Sequence, residues 1–353
     1  MAPSSNTTPT PPTLSSTRVT VDEGGATTIS SIHPDIIQTH LLTRLDGPTL
    51  ASVACTSSQL YTLCTQDMLW TNICHSTWPS TNTPRLLHLI STFGNGSRSF
   101  FTDSFPLLTN SDPTPTADSP LNPDSPPELI SAVDLYYKGK LVFCKVIETE
   151  TVSGWFRCSP FRLDLLDPKD MVSTPIRFPD CEDACLELEK DLALSWIMIE
   201  PTGRRAVNLS SHKAVSVQRH WLSGDIQVRF ATILTGERGS SSEFVQYGIV
   251  VTCGESEGGE VQLREVSLQV ENMDGKHLNG KDSLAILGRV LEGKKGGKRR
   301  RAEEEGRKRY QDYLERKRVR KARKLRTEGT LDTLCMAFGV LVFSSFWMFI
   351  LCR

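Results

Sequence analysis

The chain has 353 residues, 38% of them hydrophobic and 23% charged, an ordinary globular balance that excludes collagen-like, wholly disordered and polytopic membrane proteins. Its 40 Lys and Arg against 41 Asp and Glu give a formal net charge of −1, but that sum hides an asymmetry. Between Lys294 and Arg326 stand 17 basic and five acidic residues, a local charge of +12, so the rest of the chain carries −13 and is no uniformly basic nucleic-acid binder.

Residues 1–28 are rich in Thr, Ser and Pro and have few large apolar side chains, so they are predicted to be a disordered tail. The start, Met1-Ala-Pro-Ser-Ser-Asn6, has neither a basic nor an apolar region of the kind a secretory signal needs. The ten cysteines are sparse and form no CxxC pair, and Cys181 and Cys185, one helical turn apart, have no ligand histidines near them. Reduced thiols in a cytosolic protein are therefore expected, with the sequons at Asn6, Asn95 and Asn208 unmodified.

Dense apolar spacing begins at Ile29. Ile32, Ile36, Ile37, Leu41, Leu42 and Leu45 recur every three to five residues after Pro34-Asp35, the stripe of an amphipathic helix that Gly47-Pro48 stops. Short helical stretches follow around Leu50 to Cys55, Leu60 to Leu63 and Asp67 to Cys74. So small a unit is expected to bury its remaining apolar face on a partner.

The order Pro34-Asp35-Ile36-Ile37, Leu41-Leu42, Leu45-Asp46, Thr49-Leu50, Val53, Cys55, Leu60 and Leu69-Trp70 resembles an F-box, here over 29–79. The stretch onward to Trp78-Pro79 and Ser99 to Pro106 is similar to a plant F-box group, which gives a helical extension over 80–108. His33, where the family has Leu, and Ser58, where an aromatic often follows the Cys, depart from the pattern. Each removes about 1–2 kcal/mol of apolar contact if its site is buried. The resemblance implies a non-catalytic subunit of a Skp–cullin–F-box ubiquitin ligase, bound to a Skp-type adaptor and through it to a cullin, that presents a protein substrate. It also implies an adaptor face made of Pro34, Ile36, Ile37, Leu41, Leu42, Leu45, Leu50, Val53 and Trp70; the alternative, equally weighted, is that any one of them is internal core.

Six prolines between Pro113 and Pro127 mark a linker and domain boundary at 109–128. From 129 to 291 the texture is that of strands, at Leu141–Ile147, Leu194–Ile199, Ala214–Gln218, Ile226–Leu234, Phe244–Thr252 and Val261–Val270, with a helix predicted over Glu182 to Asp191. A β-rich substrate receptor with an antiparallel sandwich is expected. It is similar in texture to the phloem-lectin-like sandwiches behind some plant F-boxes. Trp155, Trp196 and Trp221 then either stack on a sugar or, as buried tryptophans commonly do, fill the core. The run Gly275 to Lys281 reads GxxxxGK, but Asp282 replaces the Ser or Thr of a phosphate-binding loop, and neither a nucleophile elbow nor metal-ligand spacing is present. No enzyme activity and no cofactor or metal are expected.

Residues 294–328 read as a long solvated basic helix with i,i+4 pairs Glu303/Arg307, Glu304/Lys308, Glu305/Arg309 and Asp312/Arg316. Leu334 to Cys352 is uncharged and spans about 28 Å as a helix, so 333–352 is predicted to be a transmembrane tail anchor. Lys317, Arg318, Arg320, Lys321, Arg323, Lys324 and Arg326 are its expected cytosolic flank, with the endoplasmic reticulum the expected membrane. The rival reads Lys294 to Arg301 and Arg316 to Arg318 as a nuclear-import or nucleic-acid tract. The expected fold class is α+β: a three-helix F-box, a mainly antiparallel β-sandwich, a charged helix and one transmembrane helix. The alternative function is a membrane-tethered or nuclear carbohydrate- or protein-binding module acting without a ligase.

Overall fold

Residues 32–108, 126–167, 169–236, 244–293 and 299–353 are described by a computed structural model. The predicted disordered tail, Asn6, nearly all of the proline-rich linker and residues 294–298 of the tract that starts at Lys294 lie outside them. The chain divides into two compact units, one ending at Leu45 and the other starting at Asp46.

In the first unit Pro34 opens α1 (Pro34–Ile36), and the His33 ring accepts from the Asp35 N–H at 3.3 Å. A π-helical turn over Ile37–Leu41, closed by the Leu42 N–H on the Ile37 carbonyl, leads into a 3₁₀ turn over Leu42–Arg44. The sequence predicts one regular amphipathic helix here. The apolar pairs Ile36/Leu41 and Ile37/Leu42 are each five residues apart, and a wider i→i+5 turn keeps such pairs on one side.

In the second unit the Asp46 carboxylate accepts from the Thr49 N–H at 3.0 Å and caps α2 (Gly47–Ala54), so Gly47-Pro48 opens this helix as well as ending the one before it. Ser57 caps α3 (Ser58–Cys64) in the same way. Next come α4 (Asp67–Thr77), α5 (Pro84–Ser91) and α6 (Gly96–Ser104). The aromatic rings of Trp70, Trp78, Phe93, Phe100, Phe101 and Phe105 pack among these helices at centroid distances of 4.8–5.9 Å. Gly47 lies so close to this cluster that a Cβ there would meet the Phe101 ring at 2.2 Å.

Eleven strands are described: β1 (Glu128–Tyr137), β2 (Lys140–Glu150), β3 (Arg162–Asp164), β4 (Val172–Arg177), β5 (Leu192–Glu200), β6 (Arg205–Asn208), β7 (His212–Lys213), β8 (Ser216–Arg219), β9 (Ile226–Thr235), β10 (Phe244–Glu255) and β11 (Glu260–Asn272). One sheet has the order β2-β1-β5-β6, with β7 also on β5; the other runs β3-β11-β10-β9-β8, with β4 also on β11. Every described strand pair is antiparallel, and Phe161, Trp196, Phe230 and Tyr247 from the two sheets and their connections fill one shared core. The antiparallel sandwich read from the strand texture is therefore what forms. Short helices α7 (Gly154–Cys158) and α8 (Glu182–Asp191) lie between strands, and α9 (Gly280–Glu292) buries Leu284, Leu287 and Leu291 in the shared core.

The GxxxxGK run joins β11 to α9. Asn279 takes the α9 N-cap, accepting from the Asp282 N–H at 2.8 Å, and a Cβ on Gly280 would meet the Phe156 carbonyl at 2.2 Å. The second glycine of the motif is thus a close-packing position. The charged and apolar C-terminal segments, expected as separate helices with a break near Gly329, form one helix, α10 (Arg299–Leu351).

Candidate functional site

The nine residues of the expected adaptor face have different environments. On the first unit Pro34, Ile36 and Leu41 are exposed, Leu45 is half-buried, and Ile37 and Leu42 are buried. On the second unit Leu50 is buried, Val53 is half-buried, and Trp70 is buried, its Nε1–H donating to the Cys64 carbonyl at 2.7 Å. Ile37, Leu42, Leu50 and Trp70 therefore belong to the chain's interior, because a helical stripe supplies core before it supplies surface. Tyr61 and Met68, outside the family pattern, expose 52% and 70% of their surface on α3 and α4, each an apolar residue off the core stripe of its helix. His33 and Ser58 are exposed, so neither removes a buried apolar group from the free chain.

These helices are fastened to the first sheet by buried polar contacts. Trp78 Nε1–H donates to the Ser195 hydroxyl at 3.2 Å, the Tyr136 hydroxyl donates to the Thr77 carbonyl at 2.6 Å, and Ser80 donates from its N–H at 2.9 Å and its hydroxyl at 2.5 Å to the Asp134 carboxylate. At the rim Arg85 pairs with Glu128 at 2.7 Å and Glu148 at 2.9 Å. A proline-rich stretch separates α6 from β1 in sequence, yet the helices and sheets are one compact unit.

Burial pushes the Asp134 carboxyl up to about 6, with the two Ser80 donors pulling the other way. Its value in the fold lies above the ordinary carboxylate value, so protonation favours the native state. This contribution is complete below about pH 4 and is lost as pH rises through about 6. Asp134→Asn removes the buried charge, so thermal melts of a 1–332 form should show the variant gaining on the natural chain between pH 5 and pH 7.5. The same difference in melting temperature at both pH values would refute this.

The basic helix is docked rather than solvated. Tyr310 and Tyr313 of α10 are buried against Ala231, Ile233 and Met273, and the Tyr313 hydroxyl donates to the Asn272 carbonyl at 3.1 Å. Arg307 reaches Glu189 at 2.7 Å, Arg316 lies over the Phe244 ring, and of the expected i,i+4 pairs Arg309 meets Glu305 at 3.2 Å. A tyrosine pair on one face escaped the charge-pattern reading, which gave the segment no apolar side. Among the expected membrane-flank residues, Lys317 pairs with Glu271 at 2.5 Å and Arg320 with Asp274 at 2.8 Å. Arg318, Lys321, Arg323, Lys324 and Arg326 are exposed. From Lys321 onward every residue is exposed, and α10 is long and apolar enough, by length and composition, to cross a membrane.

The remaining candidates separate cleanly. Trp196 is core and donates to the Ser131 hydroxyl at 3.2 Å, whereas Trp155 on α7 and Trp221 after β8 are 81% and 87% exposed. Burial, aided by Asp67, pushes the Cys74 thiol up to about 12, and Cys253 is likewise raised to about 12 by burial, leaving both as inert core thiols. Among the described residues no group of three His, Cys, Asp or Glu could hold a metal ion.

No protein-family model matches the sequence, and no solved structure matches it. Curated relatives do. A probable F-box protein of Arabidopsis thaliana is 49% identical over 326 residues, which is 92% of this chain and 94% of the relative. Two further F-box proteins of Arabidopsis thaliana are 46% and 41% identical over 95% and 96% of this chain, covering 99% and 94% of their own lengths.

Proposed function

The chain belongs to the F-box proteins of plants, and on that premise we propose that it is the substrate-recognition subunit of a Skp–cullin–F-box ubiquitin ligase, held at a membrane by its C-terminal helix. The observation that carries the ligase reading is similarity to F-box proteins along nearly the whole chain, at 41–49% identity. On the first unit, exposed Pro34, Ile36 and Leu41 offer apolar surface of the kind a Skp-type adaptor would cover, and the second unit by itself exposes Tyr61 and Met68. The adaptor in turn carries a cullin. Bringing a bound protein next to a ubiquitin donor held elsewhere raises the rate through proximity, so this subunit needs no catalytic group of its own. Within the second unit Trp78, Ser80 and Tyr136 join α4 and the turn after it to the first sheet.

For the membrane, the apolar run Leu334 to Leu351 covers about 27 Å as a helix, close to the thickness of a bilayer core. The exposed cations between Arg318 and Arg326 precede it, where they would meet anionic headgroups on the cytosolic side.

Co-purification tests the ligase role. A tagged full-length chain should recover both the Skp-type adaptor and the cullin from plant cells, and recovery of neither would overturn it. Carbonate extraction tests the tether: the full-length chain should stay in the membrane pellet while a 1–332 form is released. Release of both forms would remove the anchor from the account.

A further inference from the structure

A cavity of about 410 Å³ opens where the helices meet the first sheet, a size common among ligand sites. Its inner wall carries Trp78 and the Ser195 hydroxyl, both almost completely buried and bonded to each other. Lys138 and Lys213 line it with one lining carboxylate, Asp191, and the His212 ring, also on the lining, has the Glu303 carboxylate 3.8 Å away; the two ammonium groups thus outnumber the lining carboxylate in a body whose remainder is acidic.

The backbone singles out the same place. Among described non-glycine residues only Lys138, Arg204 and His212 have a left-handed φ, and two of the three line this cavity, at +49° and +64°. Side-chain-bearing residues avoid that region, and where they occupy it the surroundings hold them there. Lys138 and Gly139 form a two-residue hairpin turn with φ of +49° and +75°, a turn in which Asn-Gly or Asp-Gly is the favoured pair. Lysine in the place of asparagine puts an ammonium on the cavity rim, where Asp191 lies 3.4 Å away. His212 is fixed by the Ser210 hydroxyl, which accepts its N–H at 3.0 Å. Lys213 gives one donor to the Lys190 carbonyl at 2.8 Å, and an ammonium has three.

We infer that this cavity binds an acidic peptide segment, with ligand carboxylates meeting Lys138 and Lys213. A concave pocket with two ammonium groups suits a few carboxylates, whereas a nucleic acid or an anionic bilayer needs an open array of many cations. That the occupant is a protein segment rests on the ligase reading above, which requires this subunit to hold a protein.

The test uses the full-length chain in detergent micelles, offered a displayed library of random decapeptides, with affinities of the enriched peptides then measured by fluorescence anisotropy. Asp and Glu should be enriched. Lys138→Glu combined with Lys213→Glu should weaken the enriched peptides about tenfold or more, because two attractive charge contacts at the cavity rim both become repulsive. Lys276→Glu, exposed and outside the cavity, should leave them unchanged. Absence of acidic enrichment, or equal affinity in the double variant, overturns the inference. Adaptor recovery from the same preparations separates the two readings. Adaptor binding without acidic peptides removes the cavity alone, and acidic peptides without adaptor binding remove the ligase role alone.

Discussion

Trp78→Ala is expected to lower the unfolding free energy of a 1–332 form by about 3–5 kcal/mol, among the largest losses a single side chain can cause. Trp78 is 1% exposed, packs on Phe100 edge-on at 5.9 Å and on Phe101 at 5.4 Å, and is the point where helices and sheet share a hydrogen bond. Two effects are therefore lost together, the filled volume and the donor to Ser195. Trp78→Phe separates them. It keeps most of the aromatic contact and deletes the N–H, so it should cost about 1 kcal/mol for the hydrogen bond plus a smaller packing loss. Chemical denaturation of the three proteins measures both. Equal stability of the alanine variant and the natural chain would mean that Trp78 does not join helices to sheet.

Tyr310→Ala combined with Tyr313→Ala should release the first part of α10 from the second sheet. Ion pairs also hold this helix, but the Arg307 side chain is 50% exposed and the Arg320 side chain 38% exposed, and such pairs contribute about 0–1 kcal/mol each. Truncating two buried aromatic rings removes about 3–5 kcal/mol apiece, which exceeds the ion pairs together. Tyr313 also loses its bond to the Asn272 carbonyl. Limited trypsin digestion provides the readout, since the helix is dense in Lys and Arg. The natural chain should resist cleavage between Arg307 and Arg316, and the double variant should be cut there rapidly while the sandwich stays intact. Cleavage at the same rate in both would show that the tyrosines do not hold the helix.

These two positions also mark what the sequence could and could not disclose. β2, β5, β9, β10 and β11 were readable because β-branched or aromatic runs with polar turns between them have few other solutions, and α8 was readable in full. β1 was not. It is central, buried along most of its length, and carries Ser131 and Asp134 where periodicity asks for apolar side chains. Those polar groups are tolerated only because Trp196 and Ser80 satisfy them, and both partners are far away in sequence. Tyr310 and Tyr313 were hidden for a related reason. Their burial depends on β9 and on the turn after β11, while their neighbours in sequence are charged. In the expected adaptor face, the family pattern did not separate exposed Ile36 and Leu41 from buried Ile37 and Leu42. That separation follows from the π-helical turn, which no composition or spacing rule specifies.

The titration of a Skp-type adaptor onto the full-length chain, compared with Ile36→Asp plus Leu41→Asp, tests the ligase role most directly. Both side chains are exposed, at 51% and 45%, so the variant should keep the melting temperature of the natural chain. Loss of two apolar contacts of about 1.5 kcal/mol each predicts an adaptor Kd weaker by about a hundredfold. An unchanged Kd, or no adaptor binding by the natural chain, would contradict the account.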